Sequence, residues 1–355
     1  MRVGLHVEQL RRPIPGGIGT YVRALVDELP GAGVELSTFA SGPGDPAWPD
    51  YRDLGRPRPP LREVLWQTLR RPRVHLDVDL VHAPSLSIPP SGRTPFAVTV
   101  HDVAFLRVPE AFPPRGIRFH RRGLRIARKR AHAVIAPSAF TCSELVEEGF
   151  DPSRLFVAPH GIPAMPSTSS HPPIEADAML AMLGIAPPFV LAVGTIEPRK
   201  GFRTVFAAFA ELKLRGVTLV VAGPRGWGDV PVPHDIVALG AVDRTTLDAL
   251  YRRASACVVP SRYEGFGLPA LEAMAHGAPV IASDITSLPE VVGDAGVLVP
   301  VDDVDAWAEA IAGVVGDPER RRRLGDAGLR RAGEFTWARS AATHVDAYRT
   351  ALAAR

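Results

Sequence analysis

The chain has 355 residues, 46% of them hydrophobic and 22% charged, a composition that excludes broad disorder. A single α/β core seldom grows beyond about 250–300 residues, so two domains are expected. A formal net charge of +3 is too small to mark a nucleic-acid binder, and only the placement of the charge carries meaning.

The opening MRVGLHV reads as a buried strand and not as a basic-then-apolar signal peptide. Further β-rich apolar runs follow at 34–39, 79–83, 96–100, 133–137 and 155–159. Helical patterns lie between them, as at 18–29, where Tyr21, Leu25 and Leu29 recur on one face. Within this half, PRGIRFHRRGLRIARKRAH (114–132) concentrates the positive charge. It reads either as a solvated helix face or as a surface for anionic lipid. No nucleic-acid reader motif accompanies it.

A segment rich in proline and serine, 166–188, reads as an inter-domain linker between a first domain at 1–165 and a second at 189–335. In the second domain, strand-like runs recur at 189–194, 217–223, 236–240, 256–260, 279–283 and 296–300. Helices are expected at 202–215, 244–254 and 268–276, and almost everywhere after Asp303. The alternation of strand and helix is the pattern of parallel α/β units. No apolar run approaches the roughly 18 residues of a membrane span. Cys142 and Cys257 are too few and too far apart for a disulfide framework or a cysteine zinc site. The expectation is a cytoplasmic protein, with peripheral attachment at the inner face of the plasma membrane if the basic stretch binds lipid.

Three stretches carry chemistry. SRYEGFGLP (261–269) follows a strand and opens a helix, so Gly265 and Gly267 let backbone approach a ligand and the new helix offers unpaired N–H groups to a diphosphate. Glu264 in this loop and Glu272 in the helix can accept from sugar or ribose hydroxyls. GTIEPRKG (194–201) also follows a strand and sets Arg199 beside Lys200, a forked donor and a point charge for phosphate oxygens. In the first half, PGGIGT (15–20) opens a helix, and His101 and Asp102 end a strand. All lie at carboxyl ends of parallel strands, where open α/β sheets bind ligands. The two domains are therefore expected to face each other across a cleft.

Each motif has a plainer reading. Glu264 and Glu272 alone would pass for acids near a helix start, Arg199 and Lys200 for a solvated capping pair, PGGIGT for a turn, and Asp102 for a cap. Their joint occurrence favours a site. Asp77-Val-Asp79 has the spacing of a metal-binding carboxylate pair but reads as a loop leading into a strand, and DDVD (302–305) reads as an N-terminal helix cap with early acids.

With these residues set out, the chain resembles the retaining glycosyltransferases of GT-B architecture known as family 4. Glu264 and Glu272 match that family's Glu-x7-Glu motif, and SRYEGFGLPALEAMAHGAPVIASD, SLPEVVGDAGVLVP (287–300) and GTIEPRKG are similar to its members. The resemblance implies that Arg199 and Lys200 bind the donor diphosphate and that Glu272 holds the ribose. It implies that Glu264 contacts the donor sugar, with the N–H groups of Gly265, Phe266, Gly267 and Leu268 at the phosphate or sugar. Gly17 would approach the phosphates from the first domain, and His101 would touch the sugar near the reacting carbon. Transfer with retention, without a metal or other cofactor, and by a front-face path is implied as well. So is a last helix at 336–355 that crosses back to the first domain.

The form of GTIEPRKG is similar to mannosyl- and rhamnosyltransferases and favours GDP-mannose as donor, with a glycan or lipid-linked acceptor. A UDP-sugar enzyme, a nucleotide-sugar epimerase and a non-catalytic nucleotide-sugar scaffold stand as alternatives. His160 stands where the resemblance leads one to expect asparagine.

Overall fold

A computed structural model describes residues 1–13, 15–163, 173–212 and 216–354. They divide into two units, one of Met1–Gly161 with Thr336–Arg355 and the other of Ile162–Phe335.

The first unit is built on seven parallel strands: β1 (Arg2–His6), β2 (Glu35–Ala40), β3 (Tyr51–Asp53), β4 (Leu80–Ala83), β5 (Phe96–Thr99), β6 (Ala133–Ala136) and β7 (Leu155–Val157). They lie in the order β3-β2-β1-β4-β5-β6-β7. Successive side chains on a strand point to opposite faces, and both faces are apolar here. Ala97, Ala133 and Ile135 join one core with β1, the helix Gly16–Glu28 and the helix Trp337–Ala353. Val98, Val134 and Ala136 join the other with Trp66 and Leu124. The C-terminal helix belongs to this unit because Trp337, Ala341, Val345, Tyr348 and Ala351 are buried in its first core.

The second unit has six parallel strands: β8 (Phe189–Val193), β9 (Thr218–Ala222), β10 (Val237–Gly240), β11 (Ala256–Val259), β12 (Val280–Ser283) and β13 (Val297–Val299). Their order is β10-β9-β8-β11-β12-β13. Leu191, Cys257 and Val259 pack on one face, while Val190, Ala192 and Val258 pack on the other with Trp307. Both units therefore have the Rossmann plan, in which strand order reverses beside the first strand.

One sequence expectation changes. The unit boundary falls at Ile162 and not at 189, because the helix Pro173–Met182 and the turn after it place Ala176, Leu180 and Ile185 in the second core. The part of the expected linker at 166–172, and residues 213–215 of an expected helix, lie outside the described residues. Asp77 and Asp79 lie in the loop that leads into β4, as the sequence suggests. Asp77 bonds the Arg2 guanidinium at 3.1 Å, and Asp79 accepts from the Arg2 N–H at 2.9 Å, so both fasten the start of β1. Asp303 caps the helix Val304–Val315 through the Ala306 N–H at 3.0 Å.

Candidate active site

In the second sheet the reversal lies between β8 and β11. Their register pairs Val190 with Ala256 and Ala192 with Val258, so the two strands end side by side and release their loops together. The loop after β8 carries Arg199 and Lys200, and the loop after β11 carries Glu264. A backbone bond from the Arg262 N–H to the Arg199 carbonyl, 2.8 Å, fastens one loop to the other. Gly201 makes this approach possible. Its φ is +65°, and a Cβ there would lie 1.9 Å from the Pro260 carbonyl oxygen.

The Glu264 carboxylate is buried. Lys200 Nζ donates to its Oε1 at 2.6 Å, Ser261 Oγ donates to the same oxygen at 2.7 Å, and Arg199 Nη1 stands 3.6 Å from Oε2. Burial by itself would raise this carboxyl, but the Lys200 and Arg199 charges and the bonds from Lys200 and Ser261 outweigh it, so Glu264 titrates below its ordinary value. Arg199 is also clamped: Nε donates to buried Glu197 at 3.0 Å and Nη1 to the Tyr263 carbonyl at 3.1 Å. At Glu197 burial prevails over its cationic neighbours and pushes the carboxyl up. The result is a compact set of two cations and two carboxylates.

The loop then turns into the helix Leu268–Ala275 through Gly267, whose φ of +103° places it in the left-handed region. A Cβ there would meet Leu288 at 2.7 Å. Gly265, by contrast, is not among the positive-φ residues. The Phe266 ring is core, edge-on to Phe335 with centroids 5.9 Å apart, and Leu268 packs on the same core. Ser287 Oγ donates to the Glu264 carbonyl at 2.9 Å, and the Glu264 N–H donates to Thr286 Oγ1 at 3.2 Å. One turn into the helix, Glu272 accepts from Arg244 at 2.7 Å and from the Tyr251 hydroxyl at 3.1 Å.

Known proteins resemble this chain in sequence and in fold. Residues 15–164 match the model of glycosyltransferase family 4, and residues 183–331 that of the group 1 glycosyl transferases. The chain is 33% identical over 291 residues to O-antigen chain mannosyltransferase B of Escherichia coli, covering 76% of this chain and 74% of that one. It belongs to the family 4 glycosyltransferases. A D-inositol 3-phosphate glycosyltransferase of Nocardia farcinica is 35% identical over 62% of this chain and 53% of its own length. Among solved structures, sucrose-phosphate synthase from Thermosynechococcus elongatus covers the whole of both chains at a TM-score of 0.75 and 23% identity. Anabaena HepE, solved in complex with UDP and glucose, covers 98% of each at 0.73 and 18%. These two likenesses establish the shared fold.

In the first unit of the glycosyltransferase, Gly17 is exposed in the first turn of the helix Gly16–Glu28, and it is Gly16 that takes positive φ, +62°. One turn further along this helix, Tyr21 meets His101 edge-on with centroids 4.9 Å apart. His101 follows β5 and bonds the Pro84 carbonyl through Nε2 at 2.8 Å. A carbonyl only accepts, so Nε2 carries the proton and Nδ1 is the ring's acceptor. Burial lowers the His101 pKa, which keeps the ring neutral near pH 7. Asp102 caps the next turn through the Ala104 N–H at 3.0 Å.

The sequence reading missed Glu197, Ser261, Arg244 and Tyr251, the residues that hold Arg199, Glu264 and Glu272. Glu197 had a visible signal, an acid in the same short loop as the cation pair. Tyr251 and Arg244 had none, because nothing in a lone helix shows which strand loop it flanks.

The ion cluster sets a pH dependence. The folded pKa of Glu264 lies below its unfolded value, so its contribution to stability is complete above the ordinary carboxylate range and is lost as pH falls through the lowered value. Glu264→Gln removes that contribution and leaves Lys200 beside a neutral amide, which should cost about 3 kcal/mol at neutral pH. The Tm difference between the two proteins should then narrow from about pH 5 downward. Thermal unfolding across pH checks this, and parallel curves would contradict the pairing.

Proposed function

We propose that this glycosyltransferase moves a hexose, mannose from GDP-mannose foremost, from a nucleotide diphosphate onto a glycan or lipid-linked acceptor, with retention and without a metal ion. The observation that carries the reading is the Lys200–Glu264–Arg199 cluster at the strand-order reversal of the second sheet, where α/β folds bind their ligands. An ammonium has three donors and Lys200 spends one on Glu264. A departing nucleoside diphosphate gathers negative charge at its bridging oxygen, and the cation pair takes the role a divalent ion plays elsewhere. The N–H groups from Gly265 to Leu268 add a helix N-terminus to the same end of the sheet.

Glu272, held by Arg244 and Tyr251, keeps lone pairs for ribose hydroxyls, since a carboxylate accepts at about four sites. Glu264 is assigned to the donor sugar, His101 to the sugar near the reacting carbon, and Gly17 to the phosphates. The front-face path needs no enzymic nucleophile, because a leaving phosphate oxygen accepts the acceptor's proton. Mass spectrometry of the enzyme under turnover should show no glycosyl adduct, and a trapped adduct on any carboxylate would overturn this path.

The donor assignment has a direct test. Thermal shifts with GDP, UDP, ADP and dTDP and their sugars, in EDTA, should show stabilisation selective for GDP-mannose, a ligand at about 100 times its Kd adding about 2.7 kcal/mol. Arg199→Ala should abolish the shift. A shift seen only with magnesium would defeat the metal-free reading, and one selective for a UDP sugar would reassign the donor.

The acceptor side is proposed to touch an anionic membrane. No helix among the described residues is long and apolar enough to cross one. What supports surface contact is a cavity of about 360 Å³ lined by Arg70, Arg122, Arg125, Lys129 and Arg130. Leu61, Val64 and Leu69 stand exposed nearby along the chain from Arg70. Burial, with Arg130 adding repulsion, lowers the Arg70 guanidinium to about 10. Its hydrogen-bond partners are the carbonyls of Trp66, Ile88 and Pro89. Each basic residue near an anionic surface contributes about 1 kcal/mol. Reversing Arg122 and Arg125 to glutamate should therefore weaken co-sedimentation with phosphatidylglycerol vesicles at least about tenfold and spare the donor shift. Unchanged sedimentation would refute the contact.

A further inference from the structure

Behind His101 the first unit buries an unusual number of polar rings. His82, His160, His344, Tyr21 and Tyr348 are all buried, with Thr99 among them. Four of these side chains and Thr99 form one hydrogen-bonded series. The Tyr348 hydroxyl meets His82 Nδ1 at 2.8 Å, and His82 Nε2 meets Thr99 Oγ1 at 2.9 Å. Thr99 Oγ1 meets the Tyr21 hydroxyl at 2.6 Å, and that hydroxyl meets His344 Nε2 at 2.6 Å. His344 Nδ1 ends the series on the Ser340 carbonyl at 2.7 Å.

The last contact determines all the others. A carbonyl cannot donate, so His344 Nδ1 carries a proton, and because burial keeps this ring neutral its Nε2 must accept. Tyr21 therefore donates to His344 and accepts from Thr99. Thr99, having spent its proton, accepts from His82 Nε2–H, and His82 Nδ1 accepts from Tyr348. Every member is neutral and every hydroxyl proton is placed. Burial agrees: it lowers His344 to about 4 and carries His82 well below its ordinary value.

The series ties the C-terminal helix, which supplies Ser340, His344 and Tyr348, to β4, β5 and the helix that carries Tyr21. Tyr21 is the member that touches His101, edge-on at 4.9 Å with the ring planes 85° apart. His160 packs against both, 5.0 Å from Tyr21 and 5.4 Å from His101 between centroids. His101 is thus held by a hydrogen bond to Pro84 and by two rings, one of which cannot swing away without breaking two buried bonds.

We infer that Tyr21 is a positioning residue for His101, locked by a directional hydrogen-bond series that starts on the C-terminal helix. The inference rests on the reading that His101 meets the donor sugar. A side chain that must stand at a reacting carbon tolerates little displacement, a shift of about 1 Å costing on the order of 100-fold in rate. Tyr21→Phe keeps the ring and removes both bonds, so it tests the lock without opening a cavity.

The experiment uses the full-length protein. Nitrogen-15 spectra of the imidazoles, assigned by single substitutions, should show His101 in its Nε2–H form and moving when GDP-mannose is added. In Tyr21→Phe the His101 signals should broaden or show mixed tautomers. Nucleotide release from GDP-mannose should fall about tenfold in kcat with KM within about twofold. On a His101→Ala background the same change should cost less than about twofold, because the two residues act as one unit. A full Tyr21→Phe effect on that background, or an unchanged His101 spectrum, would overturn the inference. A donor that leaves His101 unmoved in the native protein, with His101→Ala fully active, would overturn the underlying reading instead. Should Tyr21→Phe not fold, Tyr348→Phe loosens the series from its far end and should disturb His101 in the same direction, and an unmoved spectrum there overturns the inference too.

Discussion

The arrangement in the second unit depends on one buried ion cluster. Glu264 is removed from water, and its charge persists only because Lys200 and Arg199 stand against it. Such clusters add little net stability, since desolvation consumes most of the Coulombic gain. What this one provides is a junction between loops. Lys200 and Arg199 from one loop hold Glu264 of the other, while Glu197 and Ser261 fasten Arg199 and Glu264 in turn. The two cations are consequently held in place by the protein itself, and electrostatic stabilisation of developing charge is strongest from groups fixed in advance.

The first unit solves the same problem by the opposite means. Behind His101 the imidazoles of the series have neutral hydrogen-bond partners. Order comes from neutral donors and acceptors matched one to one, from Tyr348 to Ser340. Burial keeps the rings neutral, and neutrality is what lets each nitrogen have a fixed role.

Much of this was legible in the sequence, for identifiable reasons. Every strand that is apolar on both faces announced itself, and the loops bearing Arg199, Lys200 and Glu264 could be placed at strand ends. Contact between those loops could not be read, because it follows from strand order, and β8 and β11 are separated by two intervening strands in the chain. The edge strand at Tyr51–Asp53 and the helix Leu61–Thr68 were missed. The strand is three residues long and mostly exposed, and the helix mixes Trp66 with Arg62, Glu63 and Gln67. The setting of His160 could not be read either, because the rings it packs between come from sequence positions as remote as Tyr21 and Trp337. Gly17 drew notice where Gly16 takes the unusual backbone, since two adjacent glycines give no sign of which one turns.

The return of Trp337–Ala353 to the first unit has a consequence during synthesis. Chains emerge from the ribosome at about 5–20 residues per second, and N-terminal domains commonly fold first. Here the first unit cannot do so completely. Until the last helix has been made, the strip that will receive Trp337, Val345 and Tyr348 is uncovered, and His82 and Tyr21 lack their partners. The first unit must wait, partly finished, while the second is translated and folds. Order of manufacture and order of completion are therefore reversed, and the period of greatest exposure to chaperones and proteases belongs to the part of the chain made first.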